Sequence, residues 1–240
     1  MKIIEKISSK AKNNRDFGVV TIAFLGDSVT QGCFEIYRSG ERIEPIYDQS
    51  SSYEKGVFDI LSTLYPSCPI NIINAGISGD NTGGGLARLS RDVISHNPDL
   101  CVVCFGLNDC STEQGSVEKY VGNLRKIFGE LEAANIETIF MTPNMMNTEV
   151  SHLITDEGFK AIAERTSRMQ NEGVFDAHID GARELCKEMN IALCDCYAIW
   201  KRLAEYGANT TELLSNKINH PTRQMNKMFS YELVKTMLEM

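Results

Sequence analysis

Short apolar runs alternate with segments of helical period along this chain, and that alternation limits the fold more than any other feature. The runs are Val19–Leu25, Ile70–Asn74, Leu100–Phe105, Thr138–Thr142 and Ile191–Cys194, each of strand length. Helical patterns fall near Ser52–Leu64, Leu86–Ser95, Val117–Ala133 and Phe175–Glu188. A last helix, roughly Arg223–Leu238, puts Met225, Met228, Phe229, Leu233, Val234 and Met237 on one face. Apolar strands set between helices are buried on both faces, so the pattern predicts an α/β fold with a parallel sheet covered on both sides.

At 240 residues, with no repeat, low-complexity tract or linker, the chain is expected to form one domain over 1–240, its core beginning at about residue 18. The net charge of −8 disfavours nucleic acid and anionic membrane as partners, because no basic cluster offsets it. No run approaches the ~18 apolar residues of a membrane span. Lys2, Lys6, Lys10 and Lys12 are not followed by the apolar core of a signal peptide, so a cytoplasmic location is expected. In that setting the eight cysteines read as reduced thiols. Cys101 and Cys104 would point to opposite faces of a strand, which argues against a metal site, and none is expected.

The first run stops at Gly26-Asp27-Ser28, which would place Ser28 at the carboxyl edge of the sheet, where such folds keep their sites. A serine nucleophile needs a base and donors for the oxyanion it creates. Of the four histidines, His96 lies in a turn, His152 in a long loop and His178 in a polar part of a helix. His220 precedes Pro221, which holds it extended just before the last helix and leaves its ring able to reach the sheet edge. Gly79, in the turn after the second run, offers a backbone N–H open to close approach. Asn108, after the third run, offers a side-chain amide. Asp27 and Asp109, beside these residues, are expected to hold turns. Two long connections, Gly32–Ser51 and Pro143–Thr155, leave the same edge, and their Phe34, Tyr37, Arg38, Tyr47, Met145 and Met146 are candidate pocket walls.

Four blocks in order carry a resemblance to the SGNH hydrolases, the GDSL esterase/lipase family: Gly26-Asp27-Ser28-Val29, Asn74-Ala75-Gly76-Ile77-Ser78-Gly79, Gly106-Leu107-Asn108-Asp109 and Asn219-His220-Pro221. The resemblance runs from about residue 18 to 222. It implies a flavodoxin-like three-layer α/β/α sandwich of about five parallel strands, with Ser28 as nucleophile and His220 as general base. It also implies an oxyanion hole made by the N–H groups of Ser28 and Gly79 and the Asn108 side chain. Val29 stands where the family usually has Leu.

The family's aspartate three residues before the histidine is replaced here by Lys217, which is expected to face solvent. Either Asn216 or a backbone carbonyl would then orient the imidazole, giving a Ser–His dyad unless an acid comes from elsewhere in the fold. The function expected is a cofactor-free serine ester hydrolase acting through an acyl-enzyme, removing short acyl (acetyl) groups from a sugar or other small metabolite. Thioesterase or lysophospholipase action on longer chains is the first alternative. A non-catalytic α/β module binding a nucleotide or flavin is the second, disfavoured because both glycine-rich phosphate signatures are missing, and a degenerate hydrolase kept for binding, suggested by the missing acid before His220, is the third.

Overall fold

The structure is a computed structural model that describes residues 2–111 and 116–240. Its elements in chain order are α1 (Ile3–Lys12), β1 (Val20–Gly26), α2 (Ser28–Gln31), β2 (Cys33–Ser39), β3 (Arg42–Tyr47), α3 (Tyr53–Leu64), β4 (Ile70–Gly76) and α4 (Thr82–Asp92). There follow β5 (Leu100–Cys104), α5 (Leu107–Ser111), α6 (Val117–Ala133), β6 (Glu137–Met141), α7 (Glu157–Asn171) and α8 (Val174–Glu188). The chain closes with β7 (Ala192–Cys194), α9 (Cys196–Glu205) and α10 (Arg223–Glu239).

All five predicted strands pair in parallel, in the order β4-β1-β5-β6-β7. Counted among themselves this is the 2-1-3-4-5 order of flavodoxin-like sheets, whose ligand crevice opens beside the first strand, where the winding reverses. Period-two alternation divides the strand side chains between two cores. Ile22, Phe24, Val102 and Cys104 pack with Tyr53, Val57, Phe229 and Leu233 of α3 and α10. Ala23, Leu25, Cys101 and Val103 pack with Leu89, Leu124, Ile127 and Leu185 of α4, α6 and α8. Cys101 and Cys104 thus do face opposite layers, and all eight cysteines are buried and unbridged.

The register brings three strand ends level. Gly26 of β1 lies opposite Gly76 of β4 and Cys104 of β5. A side chain at Gly76 would run into the backbone of Gln31, and one at Gly26 would run into Thr30 and the Cys104 carbonyl. The glycines therefore let the turns after β1, β4 and β5 crowd together.

Several elements depart from the expectation. Residues 32–51, read as a loop, fold into the β2–β3 hairpin, with Tyr37 opposite Glu44 and Arg38 opposite Ile43. Its side chains are largely exposed and it contains Pro45, so it carries neither apolar alternation nor a clean strand signature. Helices α1, α7 and α9 and the short α2 and α5 also lie outside the predicted helices. In α7 the buried stripe is Ala163, Thr166 and Gln170, small or polar residues that raise no apolar period. The connection 143–155 does remain free of helix and strand.

Candidate active site

Ser28 is the first residue of α2, in a turn held by Asp27, whose side chain accepts the Val29 N–H at 2.9 Å. Asp27 is completely buried, and desolvation lifts its carboxyl to about 7. It packs under the turn, and the hydrogen bonds of Ser28 go elsewhere. The Ser28 Oγ lies 2.9 Å from His220 Nε2, and both residues are buried.

The His220 loop is stapled to the body of the protein. Ser215 N donates to the His220 carbonyl at 2.7 Å, Thr222 N donates to Leu213 O at 2.9 Å, and Thr222 then caps α10. The second ring nitrogen, Nδ1, lies 3.0 Å from the carbonyl oxygen of Phe34, the second residue of the hairpin. A carbonyl only accepts, so Nδ1 bears the hydrogen and Nε2 is left with its lone pair toward Ser28. Burial pushes the imidazole down to about 4, against smaller upward effects of the Phe34 carbonyl and the Glu35 charge.

Of the two orienters the sequence left open, the carbonyl holds the ring. Asn216 holds the loop instead: its Oδ1 accepts from the backbone N–H groups of Ile218, Asn219 and His220 at 3.0, 2.9 and 2.9 Å. Lys217, expected to face solvent, is half-buried, and its ammonium pairs with Glu212 at 2.9 Å.

Gly79 and Asn108 line the same cleft as Ser28 and His220. Gly79 takes a positive φ of 78°, a conformation natural to glycine. Among the described residues the N–H groups of Ser28 and Gly79 meet no acceptor. One hydrogen of the Asn108 amide goes to the Asp80 carbonyl at 2.7 Å, and the other remains for a ligand. Asp109 accepts from the Thr82 N–H at 3.0 Å and from its hydroxyl, which ties the turn after β5 to α4.

Sequence reasoning missed Arg88. Its buried guanidinium donates to the carbonyls of Gly26 and Ala75 at 2.9 and 2.6 Å and to Asp80 at 2.7 Å. It thereby ties the ends of β1 and β4 to the residue that holds Asn108. The available signal was a cation on the same helical stripe as Thr82, Gly85 and Leu89.

The cleft has a volume of about 450 Å³, and Ile36, Ile43, Pro45, Phe159, Ile162 and Ile218 supply its apolar wall. The pocket walls expected from sequence are therefore corrected. Tyr37 and Arg38 face a neighbouring cavity of about 460 Å³, Met145 and Met146 are core residues, and Tyr47 bonds Ser78 at 3.0 Å. Phe34 contributes its carbonyl and not its ring. His96 and His152 are exposed, whereas His178, read from sequence as lying in a polar part of a helix, is buried with Nδ1 2.9 Å from Val174 O and its ring against Tyr120. The one cleft cysteine, Cys33, is pushed up to about 11 by burial and stays a thiol.

The model of the GDSL-like lipase/acylhydrolase family matches residues 24–228. In sequence the chain is 28% identical over 131 residues to an acetylxylan esterase of Geobacillus stearothermophilus, a stretch covering 51% of this chain and 58% of that protein. The chain thus spans less than two thirds of that relative. It is 26% identical over 206 residues to an uncharacterized lipoprotein, YqeF, of Bacillus subtilis (strain 168), covering 82% of this chain and 78% of that one. The fold is shared with the crystal structure of Axe2, an acetylxylan esterase from Geobacillus stearothermophilus, at a TM-score of 0.67 and 20% identity, covering 91% of this chain and 94% of the other.

Proposed function

Because the chain belongs to the GDSL-like lipase/acylhydrolase family and is thereby a carboxylic ester hydrolase, we propose that Ser28 and His220 form its catalytic dyad and act on short acyl esters. The observation that carries this reading is the 2.9 Å contact between Ser28 Oγ and His220 Nε2, in a cleft that also holds Gly79 and Asn108. Ser28 attacks the ester carbonyl while Nε2 takes its proton. The oxyanion is held by the N–H groups of Ser28 and Gly79 and by the Asn108 amide. A buried imidazolium is a strong acid, so it passes the proton readily to the leaving alcohol. Water then repeats the sequence on the acyl-enzyme.

The alcohol we propose is a sugar or similar small metabolite and the acyl group acetyl, a reading supported by the similarity to an acetylxylan esterase. A cytoplasmic setting belongs to the same reading and is favoured by eight unbridged cysteines. Among the described residues no helix is long and apolar enough to cross a membrane. The apolar cleft wall favours one second reading, hydrolysis of longer acyl chains.

The test is hydrolysis of 4-nitrophenyl esters of increasing chain length by the wild type, Ser28→Ala and His220→Ala. Acetate should be the preferred acyl group, and each substitution should cost about 10⁴-fold or more in kcat. Each buried CH₂ is worth about 0.8 kcal/mol, so a preference still rising past about eight carbons would favour the second reading. Unchanged turnover in Ser28→Ala would remove the serine mechanism.

A further inference from the structure

The cleft contains a cation that the chemistry at Ser28 leaves unused. Arg165 lies on α7, on the cleft-facing stripe with Phe159, Ile162 and Thr166, and it is exposed. Arg38, Arg88, Arg91, Arg125, Arg183 and Arg223 each meet a carboxylate. Arg165 meets neither a carboxylate nor a hydrogen-bond acceptor among the described residues. Arg15, Arg42, Arg168 and Arg202 likewise meet no carboxylate among the described residues, but of these five arginines Arg165 is the one that lines the cleft. One turn away on the helix stand Ala161, Ile162, Met169 and a second cation, Arg168, so α7 offers it no counter-ion.

Apart from the imidazole and the Cys33 thiol, both held uncharged at neutral pH, the described lining is apolar or neutral polar. Among the described residues an ester entering this cleft meets one formal charge, that of Arg165, and it is a planar fork of N–H donors suited to carboxylate or phosphate. We propose that the substrate carries an anionic group, carboxylate or phosphate, away from its scissile ester, and that Arg165 selects it. This inference rests on the esterase reading given above and narrows its substrate class to acidic esters. In a chain of net charge −8, a bare arginine at the cleft also gives an anion a local place of favourable potential.

The test uses three matched acetyl esters: a neutral methyl galactoside, its uronate and its 6-phosphate. Wild-type kcat/KM should be at least tenfold higher for one of the anionic esters than for the neutral one, with the gain in KM. Whichever anion is preferred identifies the group. Arg165→Gln should abolish the preference, and Arg165→Lys, which keeps the charge but not the fork, should retain part of it. Equal rates on all three esters, or a preference that survives in Arg165→Gln, would overturn the assignment. Wild-type 4-nitrophenyl acetate hydrolysis separates the two failures. Its presence with no gain from an anion overturns the Arg165 role alone, and its absence overturns the esterase reading and this inference together.

Discussion

The main-chain carbonyl of Phe34 accepts the His220 Nδ1 hydrogen at 3.0 Å, in the role that the SGNH pattern gives to a side-chain carboxylate. A carbonyl fixes the tautomer and the ring angle as a carboxylate does, but it lends no negative charge to the imidazolium. The proposed base is therefore well aimed and weakly basic. Because Phe34 sits at the root of the hairpin whose Ile36, Ile43 and Pro45 wall the cleft, the alignment of His220 and the wall of the cleft depend on one element.

The first prediction concerns pH. His220 must be neutral to accept the Ser28 proton, and its imidazole is pushed down to about 4. The acid limb of kcat/KM for 4-nitrophenyl acetate should therefore fall near pH 4 and not near the usual histidine value. The same shift bears on folding. From the ordinary 6.5 down to about 4 the unfolded chain binds a proton here that the folded one refuses, so stability drops by about 3 kcal/mol as pH falls through that window. Circular dichroism across the range separates lost fold from lost base. A limb at pH 6 to 7 in folded protein would show that the imidazole is not desolvated as described.

Asn216 gives a second prediction, since its Oδ1 gathers three consecutive N–H groups, including that of His220. Asn216→Ala leaves those donors unpaired and frees the loop, so kcat should fall by more than tenfold. Asn216→Asp keeps the acceptor and should recover most of the rate. If alanine and aspartate are equally poor, the loop is not held by that oxygen.

A third prediction follows from Arg223, which binds Glu35 at 2.6 Å and Asp48 at 2.8 Å and lies 4.3 Å above the Phe34 ring. This arginine clamps both ends of the hairpin to the start of α10, next to the His220 loop. Arg223→Gln should lower kcat several-fold with little change in KM, because it loosens the carbonyl that aims the ring. Glu35→Gln removes a charge that raises the imidazole pKa, so its acid limb should move to lower pH than the wild type's. An upward movement would contradict the electrostatic role given to Glu35.

What was legible in the sequence is what burial writes into it. The inner strands β1, β5 and β6 are buried along nearly their whole length and the edge strands β4 and β7 less so, and all five apolar runs end within one or two residues of the predicted places. Ser28, Gly79, Asn108 and His220 could be named because each stands in a short block at an element end. The Phe34 contact was invisible to that reading, because a main-chain oxygen carries no side-chain signature and its partner is 186 residues away. The hairpin was hidden for a related reason: its strands pair with each other over the cleft mouth and bury little. Helix α7 supplies Phe159, Ile162, Arg165 and Thr166 to the cleft and buries Ala163, Thr166 and Gln170, so neither of its faces repeats apolar residues at helical period.

The last prediction tests the support behind the turn that carries Ser28. Glu54 is buried at the start of α3, where its Oε1 accepts from Ser52 and Asn74 at 2.6 Å each, and its Oε2 has no partner. Asn74 also donates to the Thr30 carbonyl at 2.8 Å, which links this acid to the turn that carries Ser28. Burial raises the carboxyl to about 7, above its unfolded value. The sign follows: the folded state holds this proton more tightly, so its stabilising effect is present at acid pH and is lost as pH rises toward and past 7. Glu54→Gln keeps an acceptor for Ser52 and Asn74 and cannot ionise. Its Tm relative to wild type should therefore be more favourable at pH 8.5 than at pH 5.5, as measured by thermal melts at both values. A difference in Tm that does not change with pH would mean that Glu54 is already ionised in the folded protein throughout that range.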